Sequence, residues 1–257
     1  MLLALDAGNS SVAAGIFGAD GELICRSSFS SVRRTADEYA VLLAQSFSMH
    51  GVDARGFDGG VLACVVPQLT EVLCGAVSIL TGSRPLIVGA GVKTGLNIGL
   101  DDPSQLGADL VAIAVGALES REPPIIIADL DTATTVYVID GRTRLLGGAI
   151  LPGAAVSLNA LAGTASLLPS IPLEAPKRCI GTNTNDCMKS GAVFGTASAV
   201  DGMIDRFERE LGGEARHIAT GALASRIIPH CSHNFEIDEN LSMRGLYRIW
   251  LKNQRRK

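Results

Sequence analysis

Apolar and polar positions along this chain fall into a pattern that occurs twice. Leu2-Leu3-Ala4-Leu5 runs into the polar turn Asp6-Ala7-Gly8-Asn9-Ser10-Ser11, and Ile125-Ile126-Ile127-Ala128 runs into Asp129-Leu130-Asp131-Thr132-Ala133-Thr134-Thr135. Each turn passes into a second strand-like run ending at Asp-Gly, Asp20-Gly21 in one half and Asp140-Gly141 in the other. Both residues of such a pair tolerate positive φ, so Asp-Gly between apolar runs predicts a hairpin. One order of strand, polar turn, strand and hairpin in both halves predicts two related lobes. The Pro-flanked break at Glu122-Pro123-Pro124 divides them into residues 1–121 and 122–257.

Between the repeats, helix and strand patterns alternate. Thr35-Ala36-Asp37-Glu38 has the form of a capping box, and Tyr39, Leu42, Leu43 and Phe47 follow at helical spacing as far as Gly51. Val61 to Val66 predicts a strand stopped by Pro67, a helix-like stretch runs to about Leu80, and Pro85 to Val88 predicts another strand. A loop from Gly89 to Asp102 enters a helix with Asp102 as N-cap and Pro103 at its first position. Strands alternating with helices place the chain in the α/β class.

Composition narrows the function classes. At 257 residues the chain has room for two small domains with buried cores. Hydrophobic residues make up 47%, yet no apolar run approaches the roughly 18–20 residues of a membrane span. The first apolar run is cut by Asp6, unlike a secretory signal, so a soluble cytoplasmic protein with no membrane association is expected. Six cysteines without a C-x-x-C pair read as free thiols. A net charge of −4 and 4% aromatics argue against nucleic acid as partner, and the basic tail Lys252 to Lys257 reads as a solvated terminus. His230-Cys231-Ser232-His233 contains metal-donor types without a specified fourth ligand, and a polar loop explains it equally well.

The two turns carry the candidate chemistry. A tight turn of Gly and small polar residues aims backbone N–H groups and hydroxyls at phosphate oxygens, and a carboxylate at its mouth holds the Mg²⁺ that accompanies a nucleotide. Asp109 is the one charge in the apolar, Gly/Ala-rich stretch Leu106 to Leu118. Desolvation there raises a carboxylate's pKa and suits it to act as a general base, whereas a place in the first helical turn near solvent would make it a partner of the helix dipole. In Gly147-Gly148, paired glycines allow close approach by a flat adenine ring or by packed backbone. Thr220-Gly221-Ala222 forms a further candidate nucleotide-facing turn.

Taken in order, these landmarks resemble the type III pantothenate kinases, of the actin, sugar kinase and Hsp70 superfamily, over nearly the whole chain. Asp6-Ala7-Gly8-Asn9-Ser10 is similar to the first phosphate motif, Arg34 to Glu38 to the helix start that follows it, and Val65-Val66-Pro67 to the next strand end. Gly107-Ala108-Asp109 is similar to the substrate and base motif, Asp129 to Thr135 to the second phosphate motif, and Gly147 to Gly153 to the nucleoside motif. Leu168-Pro169, Gly181-Thr182-Asn183-Thr184 and Ser190-Gly191 continue the agreement.

The resemblance implies two actin-like (ribonuclease H-like) lobes, each a mixed sheet flanked by helices. It implies ATP-dependent phosphorylation of the terminal hydroxyl of pantothenate, at the entry to coenzyme A synthesis, by a homodimer that uses Mg²⁺ and is activated by K⁺ or NH₄⁺. Asp6 would assist Mg²⁺ and phosphate with Ala7, Gly8, Asn9, Ser10 and Ser11. Asp109 would activate the hydroxyl, Asp129 would help ligate the monovalent cation, Thr132 would contact phosphate, Gly148 would line the nucleoside site and Thr184 would touch pantothenate.

Three positions depart from the family pattern. Leu110, beside Gly107, Ala108 and Asp109, stands where the family has an Arg able to pair with the substrate carboxylate, and Leu100 stands for a Tyr near the substrate. Asp131 replaces a Gly and adds negative charge beside phosphate; in a continuing strand it would share a face with Asp129, and the two could hold a cation together. A kinase acting on pantothenate or another small hydroxy acid is therefore weighed against a catalytically lapsed homologue that binds nucleotide in a regulatory role.

Overall fold

The computed structural model of the chain describes residues 1–53 and 56–254, which form two compact units. The first comprises Met1–Leu96, Asp101–Ser120 and the segment from Asn240; the second comprises Asn97–Leu100 and Arg121–Glu239.

In the first unit, β1 (Leu2–Ala7), β2 (Ser11–Phe17) and β3 (Leu23–Ser30) form an antiparallel meander. Helix α1 (Ala36–Met49) leads to β4 (Gly59–Cys64), and α2 (Pro67–Thr81) to β5 (Leu86–Ile87), both strands parallel additions. The sheet order is β3-β2-β1-β4-β5. After β6 (Asn97–Ile98) and α3 (Ala108–Ser120), the second unit repeats the plan with β7 (Ile125–Leu130), β8 (Ala133–Ile139) and β9 (Arg144–Pro152). Helices α4 (Ala154–Thr164) and α5 (Thr184–Leu211), β10 (Arg216–Thr220), the short α6 (Ala224–Ile227) and β11 (Glu236–Ile237) follow, and α7 (Leu241–Asn253) ends the series. Its sheet order is β11-β10-β7-β8-β9-β6, the same arrangement with one extra edge strand. Even the register irregularity recurs, between Ile16 and Phe17 in β2 and between Val138 and Ile139 in β8.

Alternation along β1 explains how one short strand serves two layers. Leu3 and Leu5 join Tyr39, Leu43 and Phe47 of α1 and Leu69 and Leu73 of α2 on one face. Leu2 and Ala4 join Val111 and Val115 of α3 and Met243, Leu246 and Ile249 of α7 on the other. Thr35 closes the expected capping box: its N–H donates to Glu38 Oε2 at 2.7 Å and its Oγ1 accepts from the Glu38 N–H at 3.2 Å. In the second unit, Ile126, Ala128, Val136 and Val138 pack against Val193, Ala197, Val200 and Ile204 of α5.

Four local expectations are revised. Asn97–Leu100 groups with the second unit through pairing of β6 with β9. The segment from Asn240 returns to the first unit because α7 is needed to bury the outer face of β1 and α3. Asp102 caps a single 3₁₀ turn, Pro103–Gln105; extended backbone at Leu106 (φ −74°, ψ 122°) interrupts before α3. In the second hairpin the left-handed residue is Thr143 (φ 62°) rather than Gly141, since Asp140 Oδ1 draws in the N–H groups of Arg142 and Arg144 at 2.8 and 2.9 Å; Gly21 does take the expected positive φ of 87°. Arg255, Arg256 and Lys257 of the basic tail lie outside the described residues.

Candidate active site

In the first unit, the candidate phosphate turn and the candidate base come to one end and one face of the sheet. Asp6 continues the Leu2–Ala4 row, which is the row covered by α3. At the strand ends, the Val65 N–H donates to Ala7 O at 3.0 Å, and a Cβ placed on Gly107 would lie 3.4 Å from Val65 Cγ1, so α3 starts beside the ends of β1 and β4. Such C-terminal strand edges are where α/β sheets present ligand sites. The turn itself is braced: the Gly8 N–H donates to Ser11 O at 2.9 Å and Ser31 Oγ donates to Gly8 O at 2.7 Å, which leaves the side chains of Asn9 and Ser10 exposed.

Asp109 lies in the first turn of α3, half-buried, as Ala108 and Leu110 are. Burial pushes its pKa above the usual carboxylate value, and the N–H groups of Leu110 and of Asp109 itself oppose this only in part. The Leu110 N–H donates to Oδ1 at 2.7 Å. A Cβ on Gly107 would overlap that same oxygen, so glycine is the residue that leaves room for the carboxylate. The two readings of Asp109 are thus joined: it sits at the helix start and is desolvated as well. Leu110 offers no charge. Arg34, just before α1, has its guanidinium 5.9 Å from the Tyr39 ring centroid, and its buried Nε has no hydrogen-bond partner.

The second unit repeats the geometry with different neighbours. Across the ladder Asp6 is flanked by Ala13 and Ala63, whereas Asp129, its counterpart, is flanked by Thr135 and Thr220. Thr135 Oγ1 is buried without a hydrogen-bond partner, and Thr220 is buried as well. A carboxylate and two hydroxyls on one face form an oxygen donor set of the kind hard cations use, so these residues fit a bound monovalent cation. The sequence showed Thr135 only as part of a polar turn; its place beside Asp129 follows from strand register. Gly221 (φ 93°) abuts the same spot, where a Cβ would come 2.5 Å from Asp129 Oδ1.

Asp131 does not share that face. β7 ends at Leu130, and the Asp131 N–H turns to Ala133 O at 3.0 Å, so the alternation that would pair it with Asp129 stops one residue short. Thr132 is half-buried in this turn, and Gly153, the N-cap of α4, packs on its backbone through an N–H···O bond of 3.2 Å. The positive end of α4 beside the turn favours negative charge there, which lessens the cost of Asp131. Gly148 pairs with Tyr137, and Tyr137 with Ile127, which puts it on the face of Asp129; a Cβ there would overlap the Val136 carbonyl, so sheet packing alone requires a glycine. Leu100 lies in the second unit over Gly147, with Cδ2 3.2 Å from where a Cβ would be. Thr184 is exposed as the first residue of α5, after its N-cap Asn183.

The fold and these sites define a two-unit actin-like protein whose polar turns and carboxylates suit phosphoryl transfer. The family model for type III pantothenate kinase matches residues 2–206. The type III pantothenate kinase of Moorella thermoacetica is 41% identical over 98% of this chain and 100% of its own length, and that of Exiguobacterium sp. is 38% identical over 99% and 100%. Among solved structures, the activator of 2-hydroxyisocaproyl-CoA dehydratase from Clostridium difficile, with bound ADPNP, superposes with a TM-score of 0.55 at 11% identity, covering 98% of this chain and 94% of that one. The chain belongs to the type III pantothenate kinase family.

Proposed function

We propose that this protein transfers the terminal phosphoryl group of ATP to the terminal hydroxyl of pantothenate, the first step of coenzyme A synthesis. The observation that carries the reading is Asp109: a desolvated carboxylate on the sheet face and end that also hold Asp6 and the braced first turn. Asp109 accepts the hydroxyl proton as the oxygen attacks phosphorus. The Gly8 to Ser11 turn and Thr132 position phosphate, and Asp6 holds Mg²⁺ that accompanies the nucleotide and neutralises its charge. Asp129, Thr135 and Thr220 hold K⁺ or NH₄⁺, Gly148 lies under the nucleoside, and Thr184 and Leu100 contact substrate. We assign the working form as a cytoplasmic homodimer.

Arg34 takes the substrate carboxylate in the absence of an Arg at position 110. A coupled ADP-release assay over a panel of hydroxy acids, with Mg²⁺ and K⁺ varied, tests the reading. Pantothenate-dependent and K⁺-dependent ADP release is expected. Arg34→Ala should raise the KM for pantothenate roughly tenfold or more, since a charge-assisted pair contributes about 1.5–3 kcal/mol. If neither the natural protein nor Leu110→Arg/Asp131→Gly turns over any hydroxy acid while both bind ATP, the nucleotide-binding regulatory reading replaces this one.

A further inference from the structure

The C-terminal part of α5 presents three carboxylates at helical spacing, Asp201, Asp205 and Glu208, and two histidines from other elements meet them. His217 Nε2 lies 2.9 Å from Glu208 Oε1, which also accepts the Ala215 N–H at 2.9 Å. The loop before β11 is pinned to the helix by Asp201, whose Oδ2 and Oδ1 accept the N–H groups of Ser232 and His233 at 2.7 and 3.2 Å. This brings the His233 ring edge-on to His217, centroids 5.0 Å apart, and sets its Nε2 2.9 Å from Asp205 Oδ1. One donor atom from each of Glu208, His217 and His233 lies within 4.8 Å of the others, and all three side chains are largely buried.

We propose that Glu208, His217 and His233 bind a divalent transition metal of the zinc class. Two imidazoles and a carboxylate are a donor set that zinc takes readily, with solvent free to supply a fourth ligand. Tetrahedral donors stand about 3.4 Å apart when each is 2.0–2.1 Å from the ion, so Glu208 and His217, now 2.9 Å apart, need to part slightly while the separations of up to 4.8 Å close by roughly 1 Å. Asp205, holding His233 Nε2, leaves Nδ1 to face the ion and serves as the outer carboxylate that orients a ligating ring. The site is distinct from the candidate active site. His217 pairs with Ile126 on the face that carries α5, whereas Asp129 is three residues further along β7 and on the opposite face.

Of the four residues in the sequence segment first noted for metal donors, only His233 takes part. His230 packs edge-on to Phe194, and the Cys231 thiol turns toward the Ala197 and Ile227 carbonyls; burial, with Asp201 nearby, pushes it up to about 12.

Metal-stripped full-length protein titrated with Zn²⁺ in a calorimeter should bind one saturable equivalent that millimolar Mg²⁺ does not displace. His217→Gln, His233→Gln and Glu208→Gln should each weaken it at least tenfold. X-ray absorption of the zinc-loaded natural protein should show nitrogen and oxygen ligands without sulfur, a readout independent of how the variants fold. Binding that persists unchanged in the His217→Gln/His233→Gln double variant, sulfur ligation, or no saturable binding each overturns the assignment.

Discussion

A single carboxylate, Asp109, is where charge, burial and position converge. Its folded pKa is raised by desolvation, so between the ordinary carboxylate value and that raised value the folded chain keeps a proton the unfolded chain has released. Stability therefore falls as pH rises through that window, and the loss persists at neutral pH. Asp109→Asn should raise the melting temperature at pH 7, with the gain vanishing below the unfolded pKa of about 3.9, while turnover is largely lost and ATP still binds. Thermal melts across pH and single-turnover assays check both halves; a variant less stable than the parent at pH 7, or one with near-normal turnover, contradicts the account. The isolation of Asp109 was legible in its apolar surroundings. That Gly107 makes room for it, and that Arg34 stands with an unpartnered nitrogen, required the packed structure.

Among the elements, the pairing of α3 with α7 holds the base in place. A Cβ on Gly116 would overlap the Leu241 carbonyl, and one on Gly245 would overlap the Ala112 carbonyl, so the helices cross with backbone against backbone. Gly245→Ala should destabilise the protein by roughly 1–3 kcal/mol in urea unfolding, because overpacking here meets carbonyls rather than movable side chains. It should also lower kcat by shifting α3, whereas Gly141→Ala, with nothing near the added carbon, should stay within about 0.5 kcal/mol. Equal effects of the two substitutions would deny the crossing this role. α1, β4, α2 and β5 were readable from caps and periodicity because their signals are local. β6 was not: two residues in a polar loop become a strand only because the edge of β9 is there to pair with them.

For the molecule as a whole, exposed apolar side chains occur in both units; in the second, Ile150 is 72% exposed, Leu167 92% and Ile180 84%. Covering them is the task assigned to a second copy of the chain. Light scattering should give twice the 26.7 kDa chain mass, and Ile150→Glu/Ile180→Glu should shift the protein toward monomer. A natural protein of monomer mass at all concentrations would sink the dimer assignment.

The sequence alone determined the internal duplication, since two apolar runs feeding two polar turns and hairpins are a local pattern that repeats. It also pointed to the family through the ordered motifs, and it marked Asp109 as a lone charge in an apolar stretch and Asp6 and Asp129 as the first residues of the two polar turns. Tertiary structure decided what lies across from those residues. The contrast between Ala13 and Ala63 around Asp6 and Thr135 and Thr220 around Asp129 depends on strand register, which joins residues far apart in the chain. The return of α7 to the first unit and the meeting of Glu208, His217 and His233 arise in the same way: burial and pairing are satisfied between distant segments, and no local propensity records them.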